Sequence, residues 1–460
     1  MAFAAILAAM IWIAVRRPAF AVLFFFVFFY FAWRLGSVVY IDMAGPLSSE
    51  QLERDIGPGI AAVPLAIAQG MVIAALLFSF RHRRLQQLHN PVYSPVASLK
   101  LFGRFDISDI AFGAVTLFTV ALWVELLMRG PIPIFAGMER YDYSRLFGGP
   151  LNHLLTDWGS MLAIQIGIFF VAPTYYDRPF DRRFGVLLAI LLLYLFLAGH
   201  RFSSFFSLSV FFIVPIGVAM LAREGRESSA RRLFSGAVLR KVWGAGAALV
   251  VLIAIAVAYS YVFVRGFEGA KLATKLSQRI LVQQGEMWWM TYERVFLQGN
   301  WNGGFAAYKL FVDPFSPGRN STMQLLMEQG LPLERAHYIL GLGSAYTGGW
   351  PEVFFELGGP IGGFVLVALS AILFSEIMFL LVRCLIEQRY VTCFFLIPVL
   401  YAVWLNIVTG MVNSFTQVTF VMKTVAALAA LVAEERWRHN AISVPRTAAS
   451  EPLPAPQEQA

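Results

Sequence analysis

Basic side chains stand in this sequence where apolar ones are expected. Arg34 interrupts the run FAWRLG, and His200–Arg201 interrupt LAGHRFSS. Lys423 lies in FVMKTV, and Arg265, Arg279, Arg319 and Arg335 are spread over the long segment that follows residue 264. A guanidinium stays charged at any working pH and presents a planar fork of donors matched to phosphate oxygens. An ionisable group inside an apolar span is costly, so it needs a partner or a function. For Arg34 the competing reading is snorkelling to the headgroups, and for Lys423 it is a structural pair with a buried carboxylate or carbonyls. Several arginines at one membrane interface would suit a lipid-linked phosphate or pyrophosphate. Surface solvation explains any single one of them equally well.

The composition says what kind of chain carries these charges. Of 460 residues, 58% are apolar, 15% aromatic and only 14% charged, with a mean hydropathy of +0.66. Soluble domains sit near about 45–50% apolar and about 25% charged. The chain therefore reads as a polytopic membrane protein. The same numbers exclude disorder, a collagen-like fibre and a disulfide scaffold. Continuous rather than alternating apolar runs argue against an outer-membrane barrel. The net charge of +8 then concerns membrane orientation, and no nucleic-acid partner is expected. The two cysteines, Cys384 and Cys393, form no CxxC motif or disulfide framework and read as inert thiols.

A span takes about 20 mostly apolar residues. Eleven such stretches are legible: 2–15, 18–41, 59–80, 107–128, 153–173, 184–199, 203–222, 242–264, 353–382, 390–408 and 412–433. The first is short, and as an interfacial helix it would leave ten spans. Arg16 and Arg17 follow it, whereas a signal peptide carries its basic residues before the apolar stretch. The expected fold is all-α, a transmembrane helix bundle. Placing Arg16/Arg17, 81–104, 174–183, 223–241, 383–389 and the tail after 434 on one side collects 21 of the 36 Lys and Arg. The positive-inside rule makes that side cytoplasmic, and long translocated segments such as 265–350 escape the rule. The domains expected are spans one to eight over 1–264, an exported helical cap over 265–350, spans nine to eleven over 351–434, and a tail over 435–460. The tail ends in PLPAPQEQA and reads as disordered. No internal repeat is visible, which disfavours a transporter built from related halves.

The cap holds structure of its own. KLATKLSQRILVQQ (271–284) and STMQLLMEQ (321–329) are apolar at helical spacing, with EMWWMTYERVF (286–296) between them. Amphipathic helices with Trp and Met faces predict a cap lying on the outer membrane surface, or one packed against the bundle. Trp288, Trp289, Trp301 and Trp350 offer either stacking faces for sugar rings or interface anchors. No P-loop, HExxH, GxSxG or Asp-x-Asp pair occurs, so neither ATP use nor a metal-bound sugar nucleotide is indicated, and no cofactor or metal is expected. Acidic candidates on the exported side are Asp42, Asp55, Glu334, and Glu352 with Glu356 in PEVFFE.

With these pieces in view, the chain resembles the Wzy-type O-antigen and exopolysaccharide polymerases. These belong with the O-antigen ligases to a superfamily of membrane glycosyltransferases. The likeness is one of layout over about residues 100–435: many spans, a Gly-x-Arg turn, one large late exported segment and an Arg-rich face. GHRFSS (199–204) is similar to the family's Gly-x-Arg turn between neighbouring spans, which places Arg201 at the phosphate site. Arg319, ten residues and Gly330 reproduce an Arg-x10-Gly spacing of some polymerase loops. HYILGLGSAYTGGWPEVFFELGGPIGG (337–363) resembles the family segment in which a His precedes a Glu-containing helix start, placing His337 and Glu356 near the site. Ligases carry Asn, Ser or Gln after that His. Here Tyr338 follows, which favours a polymerase.

The resemblance implies a GT-C-like bundle in the bacterial inner membrane, with its active site facing the periplasm. It also implies transfer of a glycan from undecaprenyl pyrophosphate to a sugar hydroxyl on another lipid-linked repeat unit. The partners implied are the lipid-linked oligosaccharide, the bilayer and a chain-length regulator. A leaving pyrophosphate builds negative charge that preorganised cations stabilise. Arg201 and Arg265 are placed there, with Arg279 and Arg319 behind them. A positioned base contributes about 10²–10⁴-fold. His337 is the first choice, since imidazole titrates between about pH 5 and 8, and Glu356 is the second. His200, Arg34, Trp289 and Tyr338 are placed as substrate contacts. Two alternatives remain: an O-antigen ligase, or a flippase or transporter of lipid-linked sugars.

Overall fold

The structure, a computed structural model, describes residues 2–49, 51–89, 100–101, 105–138, 140–176, 178–200, 202–224, 262, 269–312, 321–341, 346 and 348–443. The first half holds α1 (Ala2–Arg16), α2 (Pro18–Leu23), α3 (Phe25–Ala44), α4 (Ala62–Ser79), α5 (His82–His89) and α6 (Ile107–Arg129). There follow α7 (Pro133–Ala136), α8 (Arg140–Leu146), α9 (Pro150–Val171), α10 (Arg182–Leu197) and α11 (Phe202–Glu224). The second half holds α12 (Gly269–Ser277), α13 (Gln283–Tyr292), α14 (Gly303–Phe311), α15 (Ser321–Gly330) and α16 (Leu333–Gly341). It closes with α17 (Glu352–Ile386), α18 (Tyr390–Thr409) and α19 (Val418–Ser443). The strands described are two short antiparallel pairs, Leu47–Ser49 with Arg54–Ile56 and Lys100–Leu101 with Phe105–Asp106.

Seven helices among the described residues are long and apolar enough to cross a membrane. They are Phe25–Ala44, Ala62–Gln86, Ile107–Ala136, Pro150–Tyr175, Ser204–Ala222, Glu352–Ile386 and Tyr390–Thr409. The chain is thus an all-α, membrane-embedded protein. Of the other stretches read as spans, 2–15 forms the shorter apolar helix α1, and 184–199 forms the 16-residue α10. The stretch 242–264 lies, apart from residue 262, outside the described residues. The stretch 412–433 opens as a 3-10 turn, Val412–Thr416, before α19 starts. That helix runs on to Ser443, so residues 435–443, assigned to the tail by sequence, are helical.

Lipid is as apolar as a leucine side chain, so helices in a bilayer associate by close packing and not by escape from water. Small residues and aromatics supply that packing here. A Cβ added at Gly217 would sit 2.7 Å from the Leu23 backbone, and one at Gly167 would sit 2.6 Å from the Phe212 carbonyl oxygen. Phe24 meets Phe80 edge-on at 5.2 Å, and Trp404 meets both Phe26 (5.4 Å) and Phe211 (4.8 Å). Gly217 lies against Leu23, and Phe206 lies 4.9 Å from Phe29. Helix α11 therefore runs antiparallel to α2 and α3. Its first residues, and His200 just before them, belong to the same end of the bundle as residues 34–44.

Helix α17 is bent near that end. Gly359 takes φ +67° and is followed by Pro360, which has no N–H to give the ladder. The kink separates two turns, Glu352–Gly358, from the apolar remainder. Local chemistry sets other ends. The Asp181 carboxylate caps α10 by accepting from the Arg183 N–H at 3.1 Å, and Gly410 ends α18 in the left-handed conformation.

Candidate functional site

The 269–350 segment does not lie on the surface throughout. Helix α13 is buried from Gly285 to Tyr292, including Trp288 and Trp289, and it packs against α3. π-helical turns, Gln278–Val282 and Glu293–Leu297, flank it. Such turns are rare and gather at functional sites, because one extra residue per turn loosens the backbone ladder. The carbonyls around the first turn are taken up by the span. Trp33 Nε1 donates to the Ile280 carbonyl at 2.7 Å, and the Ser37 hydroxyl lies 2.8 and 3.0 Å from the Leu281 and Val282 carbonyls. Trp288 Nε1 donates to the Ala61 carbonyl at 2.8 Å. Each π turn also carries an arginine, Arg279 on the first and Arg294 on the second.

Two ion pairs form at the start of α17, one to the membrane helix α3 and one to this segment. Glu352 and Glu356 are one helical turn apart at the start of α17, on one face, and both are fully buried. Glu352 pairs with Arg34, which leaves α3 from inside the bundle and also donates to the Tyr30 hydroxyl at 2.7 Å. Glu356 pairs with Arg294 from the second π turn. Arg294 also donates to Gln329 Oε1 at 2.6 Å, and burial pushes its guanidinium below the ordinary arginine value. Removing four charges from water is expensive, and opposite pairing is what makes the arrangement tolerable.

The residue before Gln329 on α15 opens a second cluster. Glu328 receives Gln324 Nε2 at 2.9 Å, Lys309 Nζ of α14 at 3.3 Å and His337 Nε2 of α16 at 3.5 Å. Its carboxylate is nearly buried, whereas the His337 ring is mostly open to the surroundings. Glu328 and Gln329 are adjacent, so one turn of α15 connects His337 and Lys309 to Arg294 and Glu356. At the rim, Arg335 pairs with Glu53 and the Tyr346 hydroxyl donates to the Gln51 carbonyl at 2.9 Å. Burial pushes the Tyr346 hydroxyl up, opposed by Arg335.

The residues expected from sequence are distributed as follows. His337 and Glu356 fall within this connected network, and Tyr338 is exposed beside His337. Arg34 does not snorkel: it is fully enclosed and bound to Glu352. Trp289 is buried, its indole lying against Gly59 and Asp42. Trp288 and Trp350 are fully buried core residues, while Trp301 keeps an open face. Arg279 is exposed on its π turn. His200 Nδ1 lies 2.9 Å from the Ser204 hydroxyl at the α10–α11 turn. Lys423 lies over the Trp158 ring at 5.4 Å. Arg201, Arg265 and Arg319 lie outside the described residues. Among the described residues, no group of His, Cys, Asp and Glu could hold a metal ion.

Sequence reasoning passed over Arg294, Lys309, Glu328 and Gln329. Nothing in their spacing marks them, because three of the four are polar residues on short helices that only tertiary packing brings together. The one local signal is the run EMWWMTYERVF, whose apolar residues are too dense for a solvated helix, so its charges needed buried partners.

A family model described as a family of unknown function, DUF6418, matches residues 316–423. This stretch, under a quarter of the chain, takes in α15 to α18 and the start of α19. It includes Glu328, His337, Glu352 and Glu356, and leaves out Arg34, Arg294 and Lys309. No curated protein and no solved structure matches the chain.

Proposed function

We propose that this protein is a membrane glycosyltransferase of the Wzy polymerase type. It transfers a glycan from undecaprenyl pyrophosphate to a sugar hydroxyl of a second lipid-linked repeat unit. The observation that carries the reading is the connected set Arg294, Gln329, Glu328, Lys309 and His337. It combines a candidate base, cations and a carboxylate at the seam between the 269–350 segment and the membrane helices. In the reaction, the acceptor hydroxyl oxygen bonds to the anomeric carbon as the bond from that carbon to the pyrophosphate oxygen breaks. The hydroxyl proton passes to the His337 imidazole, and the pyrophosphate leaves with the bonding pair. Cations offset the charge that builds on the leaving group. Arg294 joins Arg201, Arg265, Arg279 and Arg319 as a candidate for that role. Glu356, enclosed and bound to Arg294, serves better to hold that arginine than to take a proton from an incoming hydroxyl.

The test is a glycan ladder from a deletion strain, with lipid-linked intermediates run beside the surface polysaccharide. Single repeat units without a ladder, restored to a ladder by the wild-type chain but not by His337→Gln, are expected. Long chains retained on undecaprenyl pyrophosphate would mean a ligase instead. An unchanged ladder would remove both readings.

A further inference from the structure

Helix α14 is apolar on the face it turns outward. Ala306 and Leu310 are fully buried and define its inner side. Phe305, Tyr308 and Val312, at helical spacing on the opposite side, are 41%, 54% and 55% exposed, and Trp301 just before the helix is 42% exposed. The one charged residue of the helix, Lys309, is turned aside to Glu328. A helix apolar on both faces does not face water; it is enclosed by protein or by lipid. The surroundings decide between these. A Cβ on Gly359 would lie 2.6 Å from the Trp301 ring, and one on Gly303 would lie 2.4 Å from the Leu357 carbonyl, so α14 starts against the kink of α17. Just past the kink, Ile361, Val365, Leu369 and Ile372 form an exposed apolar stripe on a helix long enough to span the bilayer. The outward face of α14 is thus continuous with a lipid-facing stripe.

We propose that α14 is an in-plane membrane helix: its Trp301, Phe305, Tyr308 and Val312 face lies in the acyl region of the leaflet on the side of the 269–350 segment. Tyr and Trp favour this zone, where a ring is apolar and its edge is wet. The consequence is a depth for the neighbouring cluster. Lys309 leaves the same helix toward Glu328 and His337, so those groups sit at headgroup level and open sideways to the bilayer. The inference does not rest on glycosyl transfer and holds for any chemistry at the seam.

The test uses the full chain in phosphatidylcholine–phosphatidylglycerol liposomes, with Cys384→Ala and Cys393→Ala removing the two native thiols. A nitroxide is placed in turn at Phe305→Cys, Tyr308→Cys and Val312→Cys, and at Asn300→Cys in the exposed loop before the helix. Power saturation by oxygen should exceed that by a water-soluble nickel chelate at the first three positions, with the order reversed at the fourth. Nickel dominance at all four would make the face aqueous and overturn the proposal. Shielding from both agents would mean a protein partner and would overturn it too. A second measurement keeps the native cysteines. Brominated lipids should quench a share of the wild-type tryptophan emission that is lost in Trp301→Phe. Equal quenching of the two proteins would count against the proposal.

Discussion

The Arg34–Glu352 pair is the contact whose removal can be reasoned through most fully. Both side chains are completely enclosed, one on a membrane helix and the other at the start of α17. Arg34→Met leaves the Glu352 carboxylate without its counter-ion in a site from which water is excluded. Breaking a buried pair from one side costs about 3–5 kcal/mol, whereas replacing both partners is often nearly neutral. Glu352→Gln should cost a similar amount, because the enclosed Arg34 guanidinium then loses its opposite charge. At about 2 °C per kcal/mol for a large chain, each single variant should melt about 6–10 °C below wild type. The double variant Arg34→Met with Glu352→Gln should recover most of that loss. The assay is thermal unfolding in one detergent at one scan rate, since melting of such chains is rate-dependent. Costs of the two single variants that add within about 0.5 kcal/mol in the double would show no coupling and refute the reasoning. The same double variant tests Arg34 as a substrate contact. A stable double variant that makes normal polymer leaves Arg34 a brace alone.

The second pair, Arg294–Glu356, behaves alike in stability but not in function. Glu356→Gln should lower the melting temperature, and adding Arg294→Met should restore it while polymer remains absent; restored polymer would take Arg294 out of the mechanism. Gly410 takes φ +65°, and a Cβ there would lie 2.0 Å from the Gly349 carbonyl oxygen. Gly410→Ala should therefore cost more than about 2 kcal/mol, read as lost folded yield on size-exclusion, and wild-type yield would contradict the close approach. The Arg183 guanidinium holds the Asp181 carboxyl below its ordinary value. Its contribution to stability is thus present above about pH 4 and lost as pH falls through the lowered value. Asp181→Asn should flatten that part of the pH–stability curve, and an unchanged curve would show the contact to be inert.

Much of the architecture was legible because apolar length is a local property. Twenty apolar residues cross a bilayer whatever they later touch, so the all-α, membrane-embedded class followed from composition, and seven of the apolar stretches appear as span-length helices. The exceptions are equally physical. The stretch 412–433 is broken at its start by the Val412–Thr416 turn, which apolar content alone does not reveal. The site was less legible. His337 and Glu356 stood out by residue type and by family resemblance, but type does not say which neighbour a charge will find. Arg34 read as a substrate contact, with snorkelling to the headgroups as the competing reading. Only packing α3 against the start of α17 turned it inward to Glu352. Glu328 and Lys309 carry no signal of their own in the sequence, and only the fold brings three short helices together on one carboxylate. The π turns depend on backbone bonds that no residue pattern encodes. Hydrophobic length sets which segments leave water, and this is written along the chain. Pairing of charges in the low-dielectric interior depends on distances between separate segments, 318 residues apart for Arg34 and Glu352, and only the folded arrangement supplies them.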